Sequence, residues 1–333
     1  MGDIIQGAEA WALLAALDPD AFPDWNAHPL YGAFQRSLYR KVFPDSHPDS
    51  SFVVMRQGEP AAVACGTLEA GVFSSFGVPA SLCLRQGLTT AEAWRVCDTA
   101  LKHIRGLLPE GGHALLRGGT IGQPGQVLDQ VCAHRQAHAH AVVHAVAELE
   151  LDEAELERQL RSSYRTEVRW GRTNLRMTHL NQANPDRALF DLYPAFHAKV
   201  AGRTMRGPDY WQLLYDEVVA GRSEMSLGWL DGQLASGTVV VDTAQTSYYA
   251  SGVYDRSLFD RPISHWPVFD AMLRAKQRGV RWFDLGEIPQ AGTEASDKEL
   301  RIGFFKRGFT RGTRISVFWT LPKRHPAETN AAK

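Results

Sequence analysis

The feature that most constrains this chain is an order of elements met twice along its length. In the second half, Met225–Leu230 and Leu234–Val241 flank Asp231-Gly232, a dipeptide suited to the left-handed backbone of a tight hairpin. A third strand follows over Thr246–Val253, then a helix from Pro262 to Arg278 closed by Gly279, a short strand over Arg281–Leu285, a helix over Lys298–Lys306 and a last strand over Ile315–Leu321. The first half reads alike. Phe52–Arg56 and Ala61–Leu68 form a hairpin, and Val72–Phe76 a third strand. A helix over Thr90–Leu107, a short strand at Ala114–Leu116, a helix over Gly122–His134 and a strand over Ala139–Leu149 complete the set. The two halves share no residue-level identity, so what repeats is organisation, and a fold-scale repeat predicts two mixed α/β halves. The boundary is expected at residue 150, with a second half over 151–325 and a flexible tail over 326–333. Leu151–Thr173 reads as one helix leading into the second half, opened by the acidic turn Asp152, Glu153 and Glu155. Residues 186–200 read as another helix.

Length agrees: 333 residues make about two domains at roughly 150 residues each. Apolar residues are 44% and charged residues 22%, an ordinary globular balance that gives no ground for disorder. The N-terminus has no basic region before an apolar run, and the run Trp11–Leu17 is too short to span a bilayer, so a cytoplasmic protein without membrane insertion is expected. Cys65, Cys83, Cys97 and Cys132 form no C-x-x-C pair and read as small buried hydrophobes. His138, His140 and His144 would share a strand face, but no carboxylate or cysteine pattern completes a metal site, and none is expected. The net charge is −1, divided as −5 over residues 1–150 (10 basic, 15 acidic) and +4 over 151–333 (26 basic, 22 acidic), so the second half is better suited to an anionic ligand.

The basic character has a pattern. Arg158, Arg161, Arg165, Arg169 and Arg172, followed by Arg176, are spaced 3, 4, 4, 3 and 4. On a single helix they fall within an arc of about 80°. Such a stripe serves either phosphate contact with a nucleic acid, a tRNA acceptor stem for instance, or ion pairing with carboxylates such as Glu155, Glu157 and Glu167.

The second half also carries a motif. Trp282-Phe283-Asp284-Leu285-Gly286-Glu287 follows a helix ending in Lys276-Gln277-Arg278-Gly279, and Ile302-Gly303-Phe304-Phe305-Lys306-Arg307-Gly308-Phe309 comes about twenty residues later. With Ser162-Ser163-Tyr164-Arg165, this resembles the Fem family of aminoacyltransferases over roughly residues 155–320. The resemblance implies two tandem halves of the Gcn5-related N-acetyltransferase (GNAT) fold. It also implies an N-acyltransferase, with aminoacyl-tRNA or acyl-CoA as activated co-substrate, no tightly bound cofactor and an amine acceptor such as a cell-envelope precursor. Acetyl-CoA-binding members of the fold cradle pyrophosphate in a glycine-containing loop. Here the equivalent Tyr254–Pro262 segment has no glycine and two acidic residues, and Gly77–Thr90 holds an incomplete pattern, which favours aminoacyl-tRNA. The alternatives are an acyl-CoA-dependent N-acetyltransferase and a non-catalytic RNA- or anion-binding module.

The resemblance places Phe305 and Lys306 at the acyl-transfer site, where a lysine can hold the developing negative charge. An attacking amine must first lose a proton, and Asp284 and Glu287 at the strand end are candidates to orient or deprotonate it. His265, at a helix N-terminus, is a further candidate base, since the dipole lowers its pKa. Tyr249 and Ser251 would share a strand face lining a cleft, and Arg203 lies on a basic loop that could close over the acceptor. Each has a plain alternative: surface lysine, turn carboxylate, surface histidine, packing tyrosine, exposed loop.

Overall fold

The computed structural model describes residues 3–18, 20–22, 49–75, 77–121, 126–289 and 295–323. In chain order the first elements are β1 (Ile4–Gln6), α1 (Gly7–Ala15), β2 (Phe52–Arg56), β3 (Glu59–Ala64), β4 (Thr67–Glu69), β5 (Val72–Ser74) and β6 (Leu82–Leu84). Then come α2 (Thr90–Leu107), β7 (His113–Thr120), α3 (Val127–His134) and β8 (His138–Glu148). The second half holds α4 (Glu153–Gln159), α5 (Ser162–Asn174), β9 (Arg176–Leu180), α6 (Arg187–Ala201), α7 (Pro208–Val219), β10 (Ser223–Leu230), β11 (Gln233–Asp242) and β12 (Thr246–Tyr254). It ends with α8 (His265–Gln277), β13 (Trp282–Glu287), α9 (Asp297–Lys306) and β14 (Thr313–Pro322).

The chain divides into two compact units, Met1–Val142 with Ile315–Lys333, and Val143–Arg314. In the first, β1-β2-β3-β6 form one sheet and β4-β5-β7-β14 are hydrogen-bonded in that order. In the second the order is β8-β13-β12-β11-β10-β9. The same core recurs: a parallel pair, β5 with β7 and β12 with β13, joined through a long helix, α2 or α8. Each unit takes its last strand from the other half of the sequence. β14 lies antiparallel to β7, and β8 runs out of the first unit to lie antiparallel to β13. The expected boundary at 150, with the final strand kept in the second half, therefore differs from the observed division. The expected tail at 326–333 lies outside the described residues.

Local chemistry explains most elements. Thr89 and Glu92 form a reciprocal capping box for α2, whose Ala93, Val96, Cys97, Ala100, Leu101 and Ile104 recur at helical spacing and fill the first core. The β10–β11 turn is built from Asp231 and Gly232, both at positive φ (50° and 81°), the geometry a two-residue hairpin requires.

The expected single helix over 151–173 is two helices. Leu160 and Arg161 are extended (ψ 146° and 144°), and the Arg161 N–H donates to the Gly308 carbonyl at 2.8 Å instead of continuing the helix. The break lets Leu156 and Leu160 enter the second core with Tyr164 and Val168. The helix expected from Pro262 begins at His265, after a turn. The first-half helix begins at Val127, and residues 122–125 of its expected span lie outside the described residues. Strand β9 and helix α7 escape the sequence reading: β9 is short and polar, and α7 buries Glu217 beside Leu213, Leu214 and Val218.

Candidate active site

The site begins where two strands part. β12 and β13 pair in parallel only over Thr246↔Trp282, Ser247↔Phe283 and Tyr248↔Asp284. Beyond Tyr248, β12 stays with β11 and β13 with β8, and each has a register shift at this point. A bulge bends its strand and raises the twist, so the two strands splay into a V. Among the described residues the first unit shows no such opening. There β5 and β7 pair over Val72↔His113 and Phe73↔Ala114, but the backbone of Ala80 then fills the gap. Its N–H donates to Leu115 O (2.8 Å), and its carbonyl accepts from the Arg117 N–H (2.9 Å).

At the mouth of the V in the second unit lies a connected polar cluster. Asp284 is 1% exposed, accepts from the Gly286 N–H at 2.7 Å and lies 3.1 Å from His144 Nδ1 of β8. The Lys306 Nζ, from the last turn of α9, donates to the Glu287 carbonyl at 3.1 Å. Gly286 has φ +88°, and a Cβ there would stand 2.9 Å from Lys306 Nζ and 3.2 Å from the Tyr248 hydroxyl. The turn that ends β13 thus brings the lysine, the tyrosine and a bare backbone together. Burial lowers the Lys306 pKa, and the charges of Asp284 and Glu287 oppose that shift.

One face of the V is aromatic. Phe305 packs against Tyr164, His265, Phe309 and Tyr254, with ring centroids between 5.0 and 6.4 Å. The Tyr249 and Tyr254 hydroxyls meet at 2.7 Å, and both phenols are raised by burial, Tyr254 to about 12. Over the outside of α9, the Arg161 guanidinium stacks on the exposed Phe304 ring, 3.6 Å from its centroid.

The other expected residues fall into place with two corrections. His265 is not an exposed base at a helix end. Its Nε2 lies 3.0 Å from a Glu167 carboxylate oxygen, and its ring packs on Tyr164 at 4.3 Å and on Phe305 and Phe309. Burial first, and then the Arg161 charge, push its pKa down to about 4, so the ring is neutral, and the Glu167 oxygen it faces makes no hydrogen bond of good geometry among the described residues. The second correction concerns Tyr249 and Ser251, which do not share a face. The bulge pairs them with Val240 and Val239, so Tyr249 joins the core under α8 while Ser251 bonds to the Tyr193 hydroxyl of α6 at 2.8 Å. Arg203 is exposed on the loop after α6, its guanidinium against the Met205 sulfur, and no contact ties it to Lys306 among the described residues.

The arginine stripe is largely paired. Arg158 meets Glu155 at 2.8 Å, Arg169 meets Glu157 at 2.9 Å and Arg172 meets Glu153 at 2.7 Å. The helix break also separates Arg158 from the rest. Arg161 and Arg165 have no acidic partner among the described residues. Sequence reasoning met His144 only as a strand-face histidine and Gly286 only as part of the motif, and gave Tyr248 no role; their meeting depends on strand register. Among the described residues no group of His, Cys, Asp and Glu is arranged to hold a metal, and no helix is long and apolar enough to cross a membrane.

The two loops in which the sequence lacks a complete glycine pattern each meet a capping carboxylate, while the N-cap of α8, Ser264, makes no side-chain capping hydrogen bond. After β12, Asp255 caps a short 3₁₀ turn over Arg256–Leu258, accepting from the Ser257 N–H (3.1 Å) and hydroxyl (2.7 Å), with Lys199 at 2.7 Å on its other oxygen. Before α2, Glu92 caps the Thr89 N–H at 2.9 Å and also pairs with Arg56 at 2.6 Å.

Residues 158–295 match the acetyltransferase (GNAT) domain family. The second unit carries a GNAT domain. The match spans α5 to β13, which includes both arms of the V, and the protein is accordingly an acyltransferase. The whole chain has the tandem GNAT fold. It is similar to FemX (TM-score 0.65, 12% identity, 99% of each chain covered). It is also similar to a tandem GNAT protein from the clavulanic acid biosynthesis pathway (0.55, 14%, 98% of this chain and 99% of that one). L-PGS from Bacillus licheniformis is a third likeness (0.56, 10%, 89% and 93%). The Fem-like, tandem GNAT resemblance read from the sequence thus has its counterpart in the fold. No curated protein matches the sequence at a significant level.

Proposed function

We propose that this GNAT domain transfers an aminoacyl group from aminoacyl-tRNA to the amine of a small-molecule or cell-envelope-precursor acceptor in the cytoplasm. The observation that carries the reading is a carboxylate at each of the two loops where a CoA pyrophosphate is expected to be cradled in this fold. One backbone N–H is engaged in each, Ser257 by Asp255 and Thr89 by Glu92, and a phosphate placed beside either would meet a negative charge. A tRNA donor needs no such cradle. Its ester is held by its terminal nucleotides and backbone, for which Arg161 and Arg165 are available cations.

The chemistry follows from the cluster at the V. The acceptor's neutral amine attacks the ester carbonyl carbon, and the carbonyl electron pair moves onto oxygen. Lys306, anchored through one N–H to the Glu287 carbonyl, has its other protons free to stabilise that oxyanion. Collapse forms the amide and expels the ribose oxygen, which takes a proton. The lowered pKa makes Lys306 a better donor of that proton than an exposed lysine, and a proton released by the attacking nitrogen restores it, so that the ribose proton comes in net from the acceptor. No acyl-enzyme is required. The four cysteines all lie in the first unit, and burial raises the thiols of Cys97 and Cys132, Cys97 to about 12.

A second reading, acyl-CoA as donor, is favoured by the family match itself. Filter binding and thermal shift against acetyl-CoA and mixed aminoacyl-tRNA, each at two salt concentrations, separate the two. A salt-sensitive tRNA response with none to CoA supports aminoacyl transfer. A response to CoA alone overturns the donor, and salt-sensitive RNA binding with no acyl transfer leaves a binding module.

A further inference from the structure

Beneath α8 the sheet is polar where an apolar layer is expected. Register places His179, Ser226, Thr238 and Gly252 in one row across β9, β10, β11 and β12. Ser236, two residues from Thr238, shares its face. Ser226, Ser236 and Thr238 are at most 2% exposed, and Asp270, buried on α8, faces the His179 end of the row. His179 Nδ1 lies 3.0 Å from the Ser226 hydroxyl and 3.7 Å from Asp270 Oδ2. At the other end, the Tyr249 hydroxyl reaches over Gly252, where any side chain would displace it, to bond with Tyr254. Thr238 lies near the Tyr254 hydroxyl.

Three atoms of this layer, Ser236 Oγ, Thr238 Oγ1 and Asp270 Oδ2, are buried without a protein partner of hydrogen-bonding geometry. A buried polar atom left unpaired costs about 1–3 kcal/mol, and three in one layer mark a place for ordered water. The row begins at β9, the outer strand of its sheet, where the His179 side chain retains 22% exposure. It ends at Tyr254, whose ring lies 6.4 Å from that of Phe305.

We propose that this row is a hydrated proton path from the Tyr249–Tyr254 hydroxyls at the V to Asp270 and His179 at the sheet edge, with Asp270 as its proton store. The role rests on the transfer chemistry above, whose balance supplies the proton. An ammonium acceptor must lose two protons to become an amide nitrogen. One leaves with the expelled ribose oxygen, and one remains to be removed. In the path it passes along hydroxyls and water to the Asp270 carboxylate, which becomes a carboxylic acid and releases it past His179 to solvent. The charges facing Asp270 suit this. Glu224 of β10 raises its pKa, while Arg274 of α8 and Arg172 of α5 lower it. Burial is the largest influence; with Glu224 it outweighs the two arginines and brings the pKa up to about 7. Arg278, which follows α8, is paired with Glu224 and Asp242, and His179 is held neutral by burial, at about 4. Asp270 therefore touches no substrate and acts through the row.

The test has two arms. The first is a crystal structure of the full chain at a resolution that shows solvent, together with a carboxyl-carbon NMR titration. Waters on Ser236 Oγ, Thr238 Oγ1 and Asp270 Oδ2 are expected, with one carboxyl titrating near neutral pH that disappears in Asp270→Asn. A dry layer overturns the path whatever the donor proves to be. The second arm is the pH profile of kcat/KM with whichever donor turns over. The acid limb is expected to vanish in Asp270→Asn and persist in Asp270→Glu. Thr238→Val, which interrupts the row while leaving Asp270 in place, is expected to lower the rate about tenfold or more. Unchanged profiles in Asp270→Asn and Thr238→Val overturn the path even when turnover is normal.

Discussion

Lys306 shows how a common residue becomes a special one. A lysine in the last turn of a helix is an ordinary placement that favours the dipole, and the sequence distinguished this one only through its likeness to the Fem motif. The structure adds the reason: Gly286 leaves the space into which Nζ folds, and Asp284, fixed by His144 and the Gly286 N–H, sets the charge beneath it. Lys306→Met is expected to lower kcat by about 10²–10³, the usual effect of losing one preorganised oxyanion donor, with a melting temperature close to that of the parent. Retained turnover in a stopped assay would remove Lys306 from the mechanism. Gly286→Ala tests the same arrangement from the backbone. A residue with a Cβ is strained at φ +88°, and that Cβ would press on Lys306 Nζ. The expected result is loss of stability of about 1 kcal/mol together with a larger fall in kcat than in melting temperature. The meeting of His144, Tyr248 and Gly286 was not legible in the sequence because it depends on strand register and on two bulges, neither of which a residue pattern encodes.

At the scale of elements, what was legible had strong local signals. The Asp231-Gly232 hairpin was read from its turn residues, and the helices α2 and α9, read from their spans, prove to be opened by the Thr89–Glu92 and Ser296–Glu299 capping boxes. The α4–α5 break was hidden for the opposite reason: an arginine spacing continuous in sequence runs through a junction set by the distant Gly308 carbonyl. α5 lies tightly on α8, since a Cβ at Gly171 would collide with Trp266. Gly171→Val should therefore separate the two helices and destabilise the second unit by about 1–3 kcal/mol, read by thermal melting, and should loosen the aromatic packing around His265. That histidine also marks the acid limit of the element. Its folded pKa, about 4, lies below the ordinary value of about 6.5, so the native state binds fewer protons than the unfolded chain between those values. Its stabilising contribution is complete above about pH 6.5 and is lost as the pH falls through 4. His265→Phe is expected to retain more of its neutral-pH melting temperature at pH 4.5 than the parent does. An equal loss in both proteins would show that the imidazole is not held neutral.

On the scale of the whole molecule, the repeat of elements was legible because each copy follows from local periodicity, whereas the exchange of last strands was not. A β-branched run such as Ile315–Leu321 pairs as well with one sheet as with another, and only tertiary packing chooses. The consequence is that the first unit, though 142 residues precede its boundary, is not complete without the end of the chain. Its core includes Trp319 and Leu321, and the Trp319 indole N–H donates to Asp129 at 2.7 Å. A chain ended after Gly312 loses both side chains and leaves β7 with an open edge. Truncating one large buried apolar residue costs about 2–5 kcal/mol, and two such losses match the whole stability of a typical domain, about 5–15 kcal/mol. The second unit keeps every partner of β9 to β13, because its strands pair only with one another and with β8. Hydrogen exchange on the truncated protein should show protection lost across β7 and α2 and retained across β10, β11 and β12. Uniform protection would mean that β14 contributes little to the first core. Uniform loss would mean that the second unit depends on the first to fold.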